Sequence, residues 1–248
     1  MKICFITDLH IDKEGILAFE VDVRSRLLKV LSHIADKNFD LIILGGDLCN
    51  VMGDMDVYKW IKTQMDEVGV SYYIITGNHD SSSLMASVFG LNHLLTDEEL
   101  YYHLYFQNKG DIYFLDTAKG SMSDQQFLWL EEKLIGHPHQ DVVICMHYPP
   151  ILSGSRHMEP QYFFTQSEKF KSLCDRHSHK RFIIFSGHYH IARTVLSNNI
   201  VLFISPATSA QIDPNSEEFL IRDMVNFGYR EIFFENNTVS MTNVFYLQ

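Results

Sequence analysis

Five short clusters rich in Asp, Asn and His each follow an apolar run directly, and this pattern constrains the fold more than any other feature of the sequence. The apolar runs are predicted to be buried strands, and they extend over Ile3 to Thr7, Leu41 to Leu44, Tyr72 to Thr76, Val142 to Met146 and Phe182 to Ser186. In an open α/β sheet the carboxyl ends of the strands share one edge, where groups from distant segments meet. The pattern therefore predicts an α/β fold with one polar site at the strand ends.

The side chains of these clusters are typical metal ligands. The clusters are Asp8-Leu-His10, Gly45-Gly-Asp47, Gly77-Asn-His79-Asp80, His147-Tyr-Pro-Pro150 and Gly187-His-Tyr-His190. They contain more candidate ligands than one tetrahedral zinc ion can use, which suggests a pair of ions. The candidates are Asp8, His10, Asp47, Asn78, His147, His188 and His190. Imidazole mixed with carboxylate and amide oxygen suits manganese, iron, zinc or cobalt better than magnesium or calcium.

All five clusters, in this order, resemble the motifs of the calcineurin-like metallophosphoesterase superfamily, which are D-x-H, GD, GNH(D/E), H and GHxH. Within it the chain is most similar to the class III 3′,5′-cyclic nucleotide phosphodiesterases and their glycerophosphodiesterase relatives. That likeness includes Leu115-Asp-Thr117, the stretch from Ser123 to Leu130, and Gly228-Tyr-Arg230. The resemblance implies that residues 1–248 form a single domain with the metallo-dependent phosphatase fold, a four-layer α/β/β/α sandwich of two mixed sheets flanked by helices.

The resemblance also implies a role for each candidate ligand. It assigns three residues to a first metal, namely Asp8, His10 and His190, and three to a second, namely Asn78, His147 and His188. Asp47 would bridge the two ions. His188 and His190 alternate, so on an extended segment both would project to one side.

His79 is the candidate catalytic residue. By resemblance it stands beside the metals, where it could stabilise developing charge or protonate the departing alkoxide, because imidazole titrates near neutral pH. The nucleophile would be a metal-bound hydroxide. The alternative for His79 is a supporting role with Asp80 as its hydrogen-bond partner.

Apolar periodicity agrees with this fold. Ser123 with Gln126 forms a capping-box signature for a helix that extends to Leu134. Two further helices are predicted from apolar residues that share one helical face, namely Val23, Leu27, Val30, Leu31 and Ile34 for the first, and Met55, Ile61, Met65 and Val68 for the second. Further strands are predicted at Val201 to Ile204, Tyr229 to Phe234 and Val239 to Phe245, with a tight turn at Asn236-Asn237.

Composition excludes several classes of partner. A formal charge of −11 gives no basic surface for nucleic acid or for an anionic membrane. No segment reaches the roughly 18 apolar residues of a membrane span. The cysteines lack C-x-x-C spacing and are predicted to be free, buried thiols, namely Cys4, Cys49, Cys145 and Cys174. A cytoplasmic location is expected.

Two aromatic groups leave a choice of roles open. They are Tyr101, Tyr102, Tyr105 and Phe106, and Tyr162-Phe-Phe164. Either group could stack a base, contact a second copy in a homodimer, or pack in the core.

The sequence favours a dinuclear metal phosphodiesterase that acts on a small diester such as 3′,5′-cyclic AMP. Alternatives are a phosphomonoesterase or protein phosphatase with the same centre, and a non-catalytic binding scaffold, which the complete ligand set argues against. The chain departs from many relatives where Tyr148 follows His147, since a second histidine is common there, and this puts the substrate in doubt. No Arg or Lys falls within the five clusters, and Arg156 and Arg193 are among the nearest cations in sequence.

Overall fold

The computed structural model describes all residues from 1 to 248, which form 15 strands and six α-helices. In the first half the elements are β1 (Lys2–Ile6), α1 (Val23–Ile34), β2 (Leu41–Leu44), α2 (Met55–Val68), β3 (Tyr72–Ile74), α3 (Ser82–Phe89), β4 (Leu95–Thr96), β5 (Glu99–Leu100), β6 (Tyr102–Phe106) and β7 (Gly110–Leu115). In the second half they are α4 (Asp124–Gly136), β8 (Asp141–Met146), α5 (Met158–Tyr162), α6 (Ser167–Arg176), β9 (Arg181–Ser186), β10 (Arg193–Ser197), β11 (Ile200–Ile204), β12 (Gln211–Ile212), β13 (Ile221–Asp223), β14 (Phe227–Glu235) and β15 (Thr238–Leu247).

Most strands belong to two large mixed sheets. The first has the order β15-β14-β1-β2-β3, in which β1, β2 and β3 are parallel and β14 and β15 form an antiparallel hairpin. The second has the order β10-β11-β9-β8-β7-β6, with antiparallel strands at both edges of a parallel centre. In both sheets, the parallel strands bring residues from distant segments to one edge.

Two hydrophobic cores fix the layers. One cluster of 39 buried residues fills the space between the sheets and beneath α1 and α2, and it includes Phe5, whose ring lies 6.2 Å from that of Phe185. A cluster of 24 buried residues lies between the second sheet and helices α4 and α6. Successive residues of β9 enter different cores, Ile183 the first and Ile184 the second, as the two-residue period of a strand requires. The predicted four-layer α/β/β/α sandwich is confirmed.

Local predictions are also confirmed, with one correction. The Asn236-Asn237 turn joins β14 to β15 with φ of 53° and 61°. Ser123 caps α4 by accepting a hydrogen bond from the Gln126 N–H at 3.1 Å. The Gln126 side chain does not complete a capping box; it is buried and accepts from the Asp116 N–H at 2.9 Å, which ties the helix to the end of β7.

All four cysteines are free and buried, as predicted. None of the helices combines the length and the apolar character needed to cross a membrane.

Candidate metal centre

The five polar clusters meet where β1, β2, β3, β8 and β9 end. Backbone hydrogen bonds align the first two loops, since the Asp8 N–H donates to the Gly46 carbonyl and the His10 N–H donates to the Asp47 carbonyl, both at 3.0 Å. The His188 N–H donates to both carboxylate oxygens of Asp8, at 3.0 and 3.1 Å, and so joins the second sheet to the first.

One group of facing ligand atoms consists of Asp8, His10 and His190, all buried. The Nε2 atoms of the two imidazoles lie 3.0 Å apart, and His190 Nε2 is 3.5 Å from Asp8 Oδ1. Nε2 of His190 carries a lone pair, because its Nδ1 is 2.8 Å from the Ala210 carbonyl and donates to it. A cation is the natural partner for donor atoms so arranged.

A second group consists of Asp47, His147 and His188, also buried. Asp47 Oδ2 lies 3.2 Å from His147 Nε2 and 3.7 Å from His10 Nε2. This carboxylate therefore stands between the two groups, as the predicted bridge requires.

Backbone carbonyls orient the rings of the second group. His147 Nδ1 donates to the Gly45 carbonyl at 2.8 Å, and His188 Nε2 donates to the Tyr162 carbonyl at 2.9 Å. Each ring thereby leaves its other nitrogen as the acceptor that a metal needs. The roles of the Gly45, Tyr162 and Ala210 carbonyls were not predicted from the sequence, because a main-chain acceptor requires no particular side chain.

The electrostatics of this cluster are those of buried groups that need a positive charge. Burial opposes ionisation of Asp47, but His147 and His10 lower its pKa below the usual range. Burial would lower the pKa of His147, yet the negative charge of Asp47 raises it to about 9, so this carboxylate favours a positive charge at its side. Burial and His147 lower the pKa of His188 to about 3, which keeps that imidazole in the neutral form that binds metals.

The residues present fit metal ions on further grounds. His147 Nε2 is buried and makes no well-aligned hydrogen bond, although Asp47 Oδ2 lies 3.2 Å away, and this is costly unless a ligand completes the site. A Cβ atom at Gly187 would lie 2.5 Å from Asp8 Oδ2, so only glycine allows this approach of the loop to the carboxylate. Five candidate ligands also have left-handed backbones, with φ between 48° and 69°: Asp8, His10, Asp47, His188 and His190. Such conformations are unfavourable and concentrate at functional sites.

The histidine pair reaches the site differently from the prediction. His188 and His190 do not alternate on an extended strand, because β9 ends at Ser186 and both follow in a tight turn with φ of 69° and 52°. The turn sends the two rings to different groups rather than to one side.

Asn78 and His79 lie at the open side of the centre. Both line the same cavity as His10 and Asp47, and Asn78 is exposed. The His79 N–H donates to Asp47 Oδ1 at 2.9 Å, while its Nδ1 is 3.2 Å from the Val51 carbonyl. The His79 ring centroid is 4.9 Å from that of His10, and the His79 imidazole forms a third group of facing ligand atoms with His10 and Asp47.

Asp80 is not the partner of the His79 ring, as the alternative reading of His79 supposed. Its carboxylate accepts from the Leu48, Cys49 and Gly77 N–H groups at 3.0 to 3.2 Å, because it faces the backbone of the loop after β2. Burial, with the charge of Asp47, raises the pKa of Asp80 to about 6. Asp80 fixes the loop that carries Asp47.

Tyr148 replaces a second histidine with a stacking residue. Its ring lies 3.8 Å from that of His188, with an interplanar angle of 28°. The Tyr148 N–H donates to Thr117 Oγ1 at 3.1 Å, which gives Leu115-Asp-Thr117 a structural role next to His147. Tyr148 therefore holds the plane of a candidate ligand.

The Gly228-Tyr-Arg230 segment supports the loop whose Ala210 carbonyl orients His190. The Gly228 N–H donates to the Ala207 carbonyl at 3.0 Å, and the Arg230 guanidinium donates to the Ile204 carbonyl at 2.8 Å. The segment acts on the site through this loop and makes no contact with the ligands themselves.

The aromatic groups divide between the core and the surface. Buried members are Tyr101, Tyr102 and Phe164, whereas Tyr105, Tyr162 and Phe163 are exposed. Tyr162 lines the cavity that contains His10 and Asp47, which has a volume of about 390 Å³. Neither nearby arginine lines it: Arg193 donates to the Ser153 carbonyl at 2.6 Å, and Arg156 lies 3.9 Å from Glu217.

Comparisons with solved structures agree with the fold. A dimetal phosphatase from Danio rerio has a TM-score of 0.67 at 14% sequence identity, and 98% of each chain is covered. A purple acid phosphatase from yellow lupin seeds has a TM-score of 0.68 at 14% identity, and the match covers 98% of this chain and 53% of the lupin chain. At these identities the likeness is one of fold.

Comparisons of sequence identify the family. A probable cyclic nucleotide phosphodiesterase of Fibrobacter succinogenes is 30% identical over 249 residues, which is 95% of this chain and 94% of the relative. A probable glycerophosphodiester phosphodiesterase of Arcobacter nitrofigilis is 28% identical over 86% of this chain and 80% of its own. A 3′,5′-cyclic adenosine monophosphate phosphodiesterase of Vibrio vulnificus is 26% identical over 98% of this chain and 89% of the relative. The sequence profile of the calcineurin-like phosphoesterases matches residues 1–192, and the chain belongs to this family of metal-dependent phosphoester hydrolases, as its five clusters predicted.

Proposed function

We propose that the protein is a phosphodiesterase whose seven predicted ligands hold two metal ions. Asp8, His10 and His190 would hold one ion, with Asp47 as the bridge. The position of Asp47 Oδ2 between His10 and the second group supports this assignment. When bound, the ions would lower the pKa of coordinated water to about 7 and offset the charge of the phosphate.

The second ion would be held by Asn78, His147 and His188. The carbonyls of Gly45 and Tyr162 fix the orientation of the two imidazoles and leave the other ring nitrogen of each facing the site. Manganese, iron and zinc all suit this mixture of nitrogen and oxygen donors.

His79 is proposed to act on the phosphoryl group or the leaving oxygen. The Val51 carbonyl fixes the proton on Nδ1, which leaves Nε2 to donate or accept a proton in the cavity. An imidazole is well suited to that exchange near neutral pH.

The observation that carries the choice of a diester is the lining of the cavity. It contains no Lys or Arg, while Phe19, Met158, Tyr162 and Phe219 supply apolar walls. A monoester carries a dianionic phosphate that such walls do not neutralise, whereas a diester is a monoanion with a second ester group to accommodate. The names of the relatives support cyclic nucleotides or glycerophosphodiesters as substrates.

A panel of phosphoesters tests this proposal. With manganese-reconstituted protein, bis-nitrophenyl phosphate and 3′,5′-cyclic AMP should give a higher kcat/KM than nitrophenyl phosphate. Robust turnover of the monoester without any diester activity would refute the diesterase proposal while leaving the metal site intact.

Domain organisation and location are part of the same proposal. Residues 193–248 lie beyond the family match, yet they add strands to both large sheets and supply the Ala210 carbonyl. One domain over 1–248 is therefore proposed. Four unpaired thiols support a reducing compartment, as in the cytoplasm.

A further inference from the structure

Phe19 stands in a turn that disfavours it. Ala18 and Val21 exchange two backbone hydrogen bonds, of 3.2 and 3.0 Å, and enclose a two-residue hairpin turn. The central residues, Phe19 and Glu20, have φ of 52° and 62°. Turns with positive φ at both central positions favour Asn-Gly, and a bulky residue in this conformation is an outlier. The sequence therefore keeps an aromatic ring at this position in spite of the backbone.

The Phe19 ring reaches the candidate metal centre. It meets His10 edge-on, with centroids 5.0 Å apart and an interplanar angle of 84°, and it meets His190 at 5.6 Å and 81°. On its other side it faces Phe219 at 6.5 Å with a tilt of only 31°. Phe219 is 51% exposed, so these two rings, which we call the aromatic wall, run from the ligands toward solvent.

The aromatic wall has the chemistry that binds a planar, uncharged group. It lies in the cavity that contains His10, Asp47 and His79, where Asn50 and Asn78 add neutral amides and no Lys or Arg is present. Nucleobases stack on aromatic side chains. A glycerol-type alcohol has no ring to stack and gains little from such a surface.

We propose that Phe19 determines specificity by stacking the nucleobase of a nucleoside phosphodiester while the phosphate lies at the metal ligands. The inference rests on the proposed function and selects a substrate class within it. The unfavourable turn places the ring beside His10 and His190, which brings the stacking surface close to the site of hydrolysis.

Kinetics with two kinds of diester test this role. Phe19→Ala should lower kcat/KM for 3′,5′-cyclic AMP by about 5- to 100-fold, mainly through KM, since one base stack contributes that range. Hydrolysis of glycerophosphoglycerol should change less than about twofold, because both of its alcohols are uncharged and have no ring to stack. Phe19→Trp should retain cyclic AMP hydrolysis. Leu17→Ala is the matched control, since Leu17 is 56% exposed in the same loop and outside the wall.

The midpoint temperature of thermal unfolding gives a second measurement. Phe19→Asn, which suits the turn, should raise the midpoint and still impair cyclic AMP hydrolysis, so that stability and specificity change in opposite directions. Equal losses on both diesters, or a loss of metal from Phe19→Ala, would refute the stacking role. Wild-type protein that hydrolyses glycerophosphodiesters but not nucleoside diesters would also refute it, while leaving the proposed diesterase activity standing.

Discussion

The ligand cluster and the aromatic wall occupy one cavity but are held in different ways. The Asp and His candidate ligands are buried, and backbone carbonyls fix the rings of His147, His188 and His190. The wall is partly exposed and is held by ring contacts and by packing of Phe19 against the core, with Phe19 in an unfavourable turn. Under our proposals, catalysis depends on the ligand cluster and substrate choice depends on the aromatic wall.

Replacement of His79 tests whether this residue acts on the substrate or belongs to the metal ligands. His79→Ala should retain near-normal metal content yet lose about 10²- to 10⁴-fold in rate on cyclic AMP, the range for acid-base groups. The loss should be smaller on bis-nitrophenyl phosphate, whose leaving group needs no proton. Elemental analysis and steady-state kinetics provide both values. His93→Ala, at an exposed histidine, is the control, and loss of an ion from the His79 variant would make His79 a ligand.

Replacement of Tyr148 tests whether a stacking contact also fixes a ligand of the cluster. Tyr148→Ala removes the ring stacked on His188 and should weaken binding of one ion by about 10- to 100-fold, as for other groups that orient ligands. Tyr148→Phe keeps the ring and should bind both ions normally. Metal titration of the two apoproteins checks this, and equal affinities would show that the ring does not position His188.

The smallest expected effect separates the scaffold from the site. Ser123→Ala removes the α4 cap and should lower the free energy of unfolding by about 1 kcal/mol, without changing metal content or turnover. Urea unfolding measures the loss. A change in metal stoichiometry would contradict the view that this end of the fold only supports the sheets.

Features that depend on side-chain identity could be predicted from the sequence. The strands, the two long helices and the meeting of the five clusters depended on apolar periodicity and ligand chemistry, which are visible in the sequence. Two predictions were wrong in detail, because close backbone packing determines the local structure there. His188 and His190 lie in a left-handed turn and not on an extended segment, and the Gln126 side chain bonds to Asp116 and does not complete a capping box.

Other features carried no readable signal. The carbonyls of Gly45, Tyr162 and Ala210 orient ligands without any requirement on their side chains. Phe19 and Phe219 are more than 190 residues apart, and neither forms part of a motif, so only the fold brings their rings together.

Metal content of the Asp47→Ala variant tests the central claim most directly. Wild-type protein reconstituted with manganese should contain two ions per chain, and His10→Ala should primarily lose one. Because Asp47 lies between both groups, Asp47→Ala should lose both ions and, with them, phosphodiesterase activity. Elemental analysis that finds two ions retained in the Asp47 variant would contradict the bridged dinuclear centre.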